Sequence, residues 1–145
     1  MMFLGEYAHT LDTKSRLAIP SRFRTLLSEG VVITRGYDHC VMGMAMPMWQ
    51  KLADQVSDLP PGEIHTRNLQ RLLFSAASEY TLDKQGRILL PQTLRDYASI
   101  SGDEVVVVGV NKYFEIWSPE RWRETVAAMD EETDQLVAQL TSLKY

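Results

Sequence analysis

Two short stretches of the chain set acidic and basic side chains at matched intervals. The first carries Asp12, Lys14, Arg16 and Arg24; the second carries Asp83, Lys84, Arg87 and Arg95. In an Asp-x-x-x-Arg unit the carboxylate can accept N–H bonds from a tight turn and can pair with the guanidinium that follows. That chemistry is purely structural. A second chemistry is available to the same residues. Arg and Lys displayed on a turn and near a helix start can meet phosphates, and Arg can grip a guanine edge with two hydrogen bonds in a major groove. The residues alone leave both readings open.

The stretches are copies of one another. Residues 11–24, LDTKSRLAIPSRFR, align with residues 82–95, LDKQGRILLPQTLR, at an offset of 71. Leu11/Leu82, Asp12/Asp83, Arg16/Arg87, Pro20/Pro91 and Arg24/Arg95 match, and Thr10/Thr81 extends the similarity. Internal repetition of this kind defines the architecture before any single element does. Each copy is followed by a β-rich run (31–34; 104–108), a second strand candidate (40–44; 113–117), and Pro then Trp (Pro47 and Trp49; Pro119 and Trp122). The expected organisation is repeat 1 at 1–57, a linker with a middle helix at 58–76, repeat 2 at 77–125, and a C-terminal helix at 126–145. Pro60-Pro61-Gly62 breaks the chain between the halves.

Within each repeat the pattern predicts a strand, a tight turn at 12–15 or 83–86, and a strand at 16–19 or 87–90. A short helix should follow, with Pro20 at its first helical position, where a missing N–H is harmless. Gly86 suits a positive φ in the second turn, whereas Ser15 in the first is expected to be strained or to change the turn's shape. Ile64, Leu69, Leu72, Leu73 and Ala76 fall on one face of the middle helix. Trp122, Val126, Met129, Thr133, Leu136, Leu140 and Leu143 recur at alternating steps of four and three, a heptad seam suited to docking on the core or on a neighbouring helix.

Composition narrows the possibilities. Of 145 residues, 45% are hydrophobic and 23% charged, the balance of a globular domain, with a net charge of −4. The charge is unevenly placed. Residues 1–24 and 63–95 each carry a positive surplus, while 115–145 holds seven acids against three bases. A phosphate backbone responds to local basic patches and not to the average. No apolar run is long enough for a membrane helix, and the start (Met1 to Glu6) lacks the basic and apolar segments of a secretory signal. The single Cys40 excludes an internal disulfide and fits a reducing cytoplasm. It is expected to be a small buried hydrophobe. His9, His39 and His65 have no metal-ligand spacing, and no phosphate-loop, dinucleotide or nucleophile-elbow motif occurs, so neither an enzyme nor a cofactor or metal is expected. Met42, Met44, Met46 and Met48 alternate as on a strand with one adaptable apolar face. Arg67 and Arg71 are expected to be solvated or at an interface.

LDTKSRLAIPSRFR, its copy LDKQGRILLPQTLR, the intervening QRLLFSAASEYTLD and the opening MFLGEYAHTLD together resemble the MraZ family of bacterial transcriptional regulators. The resemblance runs from Met2 to about Arg123. It implies an α+β, mainly β fold: a tandem AbrB-like (SpoVT-like) swapped-hairpin β-barrel with short helices and a C-terminal helix. It also implies a ring-shaped homo-oligomer in the cytoplasm, associated with the nucleoid. Such an oligomer binds direct repeats of double-stranded DNA upstream of the division and cell-wall gene cluster, including its own gene, as a repressor. Carried onto this chain, the DNA-binding residues are Asp12, Lys14 and Arg16 with Asp83, Lys84 and Arg87, joined by Arg24 from the basic patch. Two departures stand out: Ser15 replaces the usual Gly, and Gln85 stands where the first copy has Lys14.

Two rival readings come from other classes. An antitoxin-type module with the same fold would act through a protein partner and would need a tail that folds on that partner; the heptad-spaced tail is expected to be self-sufficient. A purely structural oligomer would use both Arg residues only to brace turns. The acidic C-terminal helix should lie away from any DNA-binding face.

Overall fold

Runs of β-branched residues build the sheet. The computed structural model describes residues 2–144. The first repeat contributes β1 (Glu6–Thr10), β2 (Arg16–Ala18), α1 (Ser21–Arg24, continued by a 3-10 turn over Thr25–Leu27), β3 (Val31–Arg35), β4 (Val41–Ala45), α2 (Met46–Ser57) and α3 (Ile64–Phe74). The second contributes β5 (Ser78–Tyr80), β6 (Arg87–Leu89), α4 (Gln92–Tyr97), β7 (Glu104–Gly109), β8 (Phe114–Trp117), α5 (Pro119–Glu131) and α6 (Thr133–Ser142).

The repeats are interlaced. Six strands form an antiparallel sheet in the order β1-β7-β8-β4-β3-β5, and β2 pairs with β6 in a separate ribbon. The first strand of each repeat therefore pairs with the third strand of the other: β1 with β7, and β5 with β3. Exchanging the repeats and reading the order backwards returns the same sheet. Neither half has a complete sheet of its own, which is the swapped α+β arrangement expected from the sequence. Leu17 and Ile19 from the first hairpin and Ile88 and Leu90 from the second pack with Val31, Ile33, Val105 and Val107 of the sheet in one core. Phe3, Phe23 and Phe114 fill its centre, Phe23 meeting Phe3 edge-on at 5.0 Å. Gly43 makes room for Phe114: a Cβ there would fall 2.3 Å from the ring.

Several expectations need correction. Pro20 sits one position earlier than predicted, as the residue that caps α1, and Pro91 caps α4 in the same way. The Met42–Met48 alternation spans two elements, because α2 begins at Met46; Met42 and Met44 lie on β4, which is buried on both faces. The middle helix forms, but turned. Leu73 is buried with Phe74 beside it, while Ile64, Leu69 and Leu72 face outward. Hydrogen bonds set that rotation. Gln70 Nε2 donates to Val56 O (3.0 Å), Arg35 Nη1 donates to Leu72 O (2.8 Å), and the Thr34 hydroxyl donates to Leu73 O.

The C-terminal segment is two helices divided at Glu132, which has φ −101° and ψ 8°. Asp130, Glu131 and Glu132 oppose the negative end of the α5 dipole, whereas Asp134 suits the positive start of α6. Ser118 Oγ caps the start of α5 by accepting from Arg121 N at 3.1 Å. Trp122 rests on Trp117 with ring centres 5.4 Å apart. Beyond Val126 every residue through Lys144 is exposed, so the heptad seam docks on this chain's core only at its start, through Trp122.

Candidate nucleic-acid interface

Each hairpin tip is held by one aspartate. Asp12 Oδ1 accepts the backbone N–H groups of Lys14 and Arg16, both at 2.9 Å, and Oδ2 accepts Arg16 Nε at 2.8 Å. The turn closes with Ser15 N–H donating to Asp12 O (2.9 Å) and Asp12 N–H donating to Arg16 O (3.0 Å). The second tip repeats these bonds. Asp83 Oδ1 accepts from Gln85 N and Arg87 N, and Oδ2 from Arg87 Nε, all at 2.9 Å. Ser15 takes the same left-handed conformation (φ 59°) as Gly86 (φ 72°). The first turn thus keeps the shape of the second and carries the strain of a side chain there. Both carboxyls are held below the usual carboxylate range, chiefly by the backbone N–H of Arg16 or Arg87; burial is the next largest effect and opposes this, and the guanidinium of the same residue adds to the lowering.

The tips are joined. Arg87 Nη1 lies 3.3 Å from Asp12 Oδ2, so one carboxylate carries guanidinium groups from both repeats. Backbone bonds reinforce the link: Ile19 N donates to Gly86 O (2.9 Å) and Leu90 N to Ser15 O (2.8 Å). A ribbon of three-residue strands therefore separates the tips by only about 10 Å. Arg16 keeps 34% and Arg87 25% of its side-chain surface accessible. Neither is sealed in the fold. Both η nitrogens of Arg16 and Nη2 of Arg87 make no hydrogen bond among the described residues.

Lys14, Lys84 and Gln85 are exposed. A shallow, open depression is lined by Arg16, Asp83, Lys84, Gln85 and Arg87, which brings the first tip's guanidinium to the second tip. Arg24 stands behind that surface. Its Nε donates to Ile19 O (2.9 Å), and a Cβ on Gly86 would fall 2.4 Å from the same nitrogen. Arg24 of repeat 1 thus braces the tip of repeat 2, and Arg95 makes the matching bond to Leu90 O at 3.0 Å. The Arg87–Asp12 link and the Arg24–Gly86 packing have no local signal in the sequence. The repeat offset did point to Arg95 as the twin of Arg24.

Other reactive residues lie outside this surface. Cys40 is buried beside Val106 and Trp117, and burial followed by the nearby Glu115 pushes its thiol far up, as suits a packing residue. Burial, then Arg24, lowers the pKa of His9. Arg67 and Arg71 bond locally, to Pro61 O (2.8 Å) and Asn68 Oδ1 (3.1 Å). Among the described residues no cluster of three His, Cys, Asp or Glu could hold a metal, and no helix is long and apolar enough to cross a membrane.

The doubled Asp-x-x-x-Arg sequence lies within a family that comparison with known proteins identifies. One family profile, described as "MraZ protein, putative antitoxin-like", matches residues 2–72 and again 73–142. The chain belongs to the MraZ family. It is 56% identical to the transcriptional regulator MraZ of Roseiflexus castenholzii over 99% of this chain and 100% of that protein. It is 47% identical to that of Herpetosiphon aurantiacus (97% and 98%) and 41% identical to that of Leuconostoc citreum (99% and 100%). These MraZ relatives are named as regulators, a non-enzymatic role. Each MraZ unit matched by the profile takes in the helices after its strands, α2 with most of α3 in the first and α5 with α6 in the second.

Proposed function

We propose that this MraZ-family chain is a sequence-specific DNA-binding transcriptional regulator that reads duplex DNA with its two linked hairpin tips. The observation that carries this reading is the pair of guanidinium groups, Arg16 and Arg87, each oriented by an aspartate and joined through Asp12 while terminal nitrogens face solvent. A guanidinium held in this way needs little ordering when it meets a phosphate or a guanine edge. Asp12 and Asp83 position the arginines, Arg24 braces the second tip, and Lys14 and Lys84 add phosphate contacts. The tips are chemically unequal. Gln85 occupies the position of Lys14, and an exposed amide can pair with adenine as readily as an ammonium meets a phosphate or guanine.

Further parts of the proposal are a ring of identical chains, direct repeats as the operator, and repression of the division and cell-wall gene cluster including the protein's own gene, in a cytoplasm where the protein associates with the nucleoid. A ring of like-facing subunits favours direct over inverted repeats. Footprinting of the purified protein on DNA upstream of its own gene tests this: protection of regularly spaced short repeats is expected, and uniform or absent protection overturns it. The second reading, a module acting with a protein partner, has one supporting observation, the unpartnered apolar residues of α6. A salt titration of DNA affinity separates them, because only phosphate contacts give a steep slope.

A further inference from the structure

α3 and α6 are equivalent helices of the two repeats with opposite fates. The offset of 71 that relates the tips also lays Leu69 and Leu72 of α3 over Leu140 and Leu143 at the end of the chain. In repeat 1, α3 is tied to β3 and α2 through Thr34, Arg35 and Gln70. In repeat 2, α6 follows the end of α5, and Leu136, Val137, Leu140 and Leu143 are all exposed, Leu140 at 56%. α6 alone, the 10 residues Thr133–Ser142, extends about 15 Å. A helical arm of that length with an uncovered apolar stripe marks an interaction surface.

The outer face of α3 is its complement. Ile64, Leu69 and Leu72 are exposed there, Leu72 at 43%, and Arg71 is exposed beside them. Within α3 there is no acid, while Arg67 and Arg71 are basic. The exposed arm from Ala127 has the reverse character: Asp130, Glu131, Glu132 and Asp134, and no base before Lys144. Two arms packed together would set acid against acid, and two α3 faces would set base against base. Only the unlike pair gains both apolar burial and charge complementarity.

We infer that the α5–α6 arm of one chain docks on the outer face of α3 of a second copy of this chain, head to tail. Such a contact is heterologous. It leaves one arm and one α3 face free after each addition and so continues until a ring closes. The inference deepens the ring reading above and rests on it, by naming the two surfaces that join.

Two variants and their mixture test this. Leu136→Gln/Leu140→Gln removes the arm stripe, and Leu69→Gln/Leu72→Gln removes the α3 stripe; all four side chains are exposed within one chain, so the secondary-structure content should match the unsubstituted protein. Light scattering after size exclusion is expected to give a multi-chain mass for the unsubstituted protein and a single-chain mass for each variant. Mixed one to one, the variants should form a dimer and nothing larger, because one intact arm meets one intact α3 face. Assembly that survives either variant, or a mixture that stays monomeric, overturns the assignment. So does a monomeric unsubstituted protein, the result expected if the arm serves a foreign partner. Arg16→Ala measured alongside should keep its multi-chain mass. Loss of DNA binding and loss of this contact are therefore read separately, and assembly through other surfaces would spare the ring while removing the contact named here.

Discussion

Arg87 of the second hairpin donates Nη1 to Oδ2 of Asp12 in the first, 3.3 Å away, while its Nε holds Asp83 at 2.9 Å. Among the described residues the Arg16 side chain binds only its own Asp12. The two tips are therefore one unit with a built-in asymmetry: Asp12 is shared and Asp83 is not.

Arg16→Ala should weaken operator binding by about 5- to 150-fold, the range of roughly 1–3 kcal/mol for a good base contact. Arg87→Ala should do the same and also free the first tip, so its effect should be at least as large. Gel shifts at fixed salt measure both. Unchanged affinity for either would remove that residue from the interface. Lys84→Ala should instead lower the slope of log affinity against log salt by about one and weaken all sequences alike.

Gly86→Ala should destabilise the fold by about 1–2 kcal/mol, the penalty of a side chain in the left-handed region, with further strain from the Arg24 side chain at 2.4 Å. A fall of several degrees in melting temperature is expected. Ser15→Ala is the control, because that turn already accommodates a Cβ at φ 59°. It should stay within about 0.5 kcal/mol of the unsubstituted protein. Equal effects at the two positions would mean that Gly86 does not hold the left-handed conformation.

The depressed carboxyls give a pH dependence with a definite sign. A group whose folded pKa is lowered stabilises the fold above its unfolded value, about 3.9 for Asp. That stabilisation is lost as pH falls through the folded value. Both tips should hold their shape from about pH 5 to 8, and carboxyl carbon NMR should place the Asp12 and Asp83 midpoints below that of a free aspartate. Asp12→Asn turns an amide NH2 toward Arg16 Nε and Arg87 Nη1 or gives up the backbone bonds. DNA affinity should fall although the protein becomes one charge more positive. A rise in affinity would show that charge alone governs binding.

The sequence made legible what repeats itself. Asp12/Asp83 and Arg16/Arg87 announced the tips because a tight turn and its bonds are local, within five residues. Val31–Thr34 and the 105–108 run announced inner strands through β-branching. The interlacing of β1 with β7 and of β5 with β3 was reachable only through family resemblance, since nothing local in Tyr7 or Val107 names its partner. The rotation of α3 escaped periodicity because Thr34, Arg35 and Gln70 set it by hydrogen bonds, and apolar spacing does not register those. At Ser15 the first of the two expected outcomes holds: the residue is strained at positive φ and the Asp12 bonds keep the turn's shape.

Operator length supplies the remaining prediction. One pair of tips offers Lys14, Arg16, Lys84 and Arg87 against Asp12 and Asp83, a small positive surplus that can neutralise only a few phosphates. If identical tips on one assembly engage successive repeats, each further contact is made at the effective concentration set by the assembly. The gain can then reach about 10²- to 10⁴-fold without any new kind of contact. A probe with several direct repeats should therefore bind far more tightly than a single repeat, and the excess should shrink when the spacing is changed by half a helical turn, which moves alternate sites to the far side of the duplex. The Leu136→Gln/Leu140→Gln protein should show only a proportional gain with repeat number. Its affinity for a single repeat should match that of the unsubstituted protein, because its tips are untouched. A cooperative gain that survives in this variant would place the coupling between sites in the DNA and not in the protein assembly.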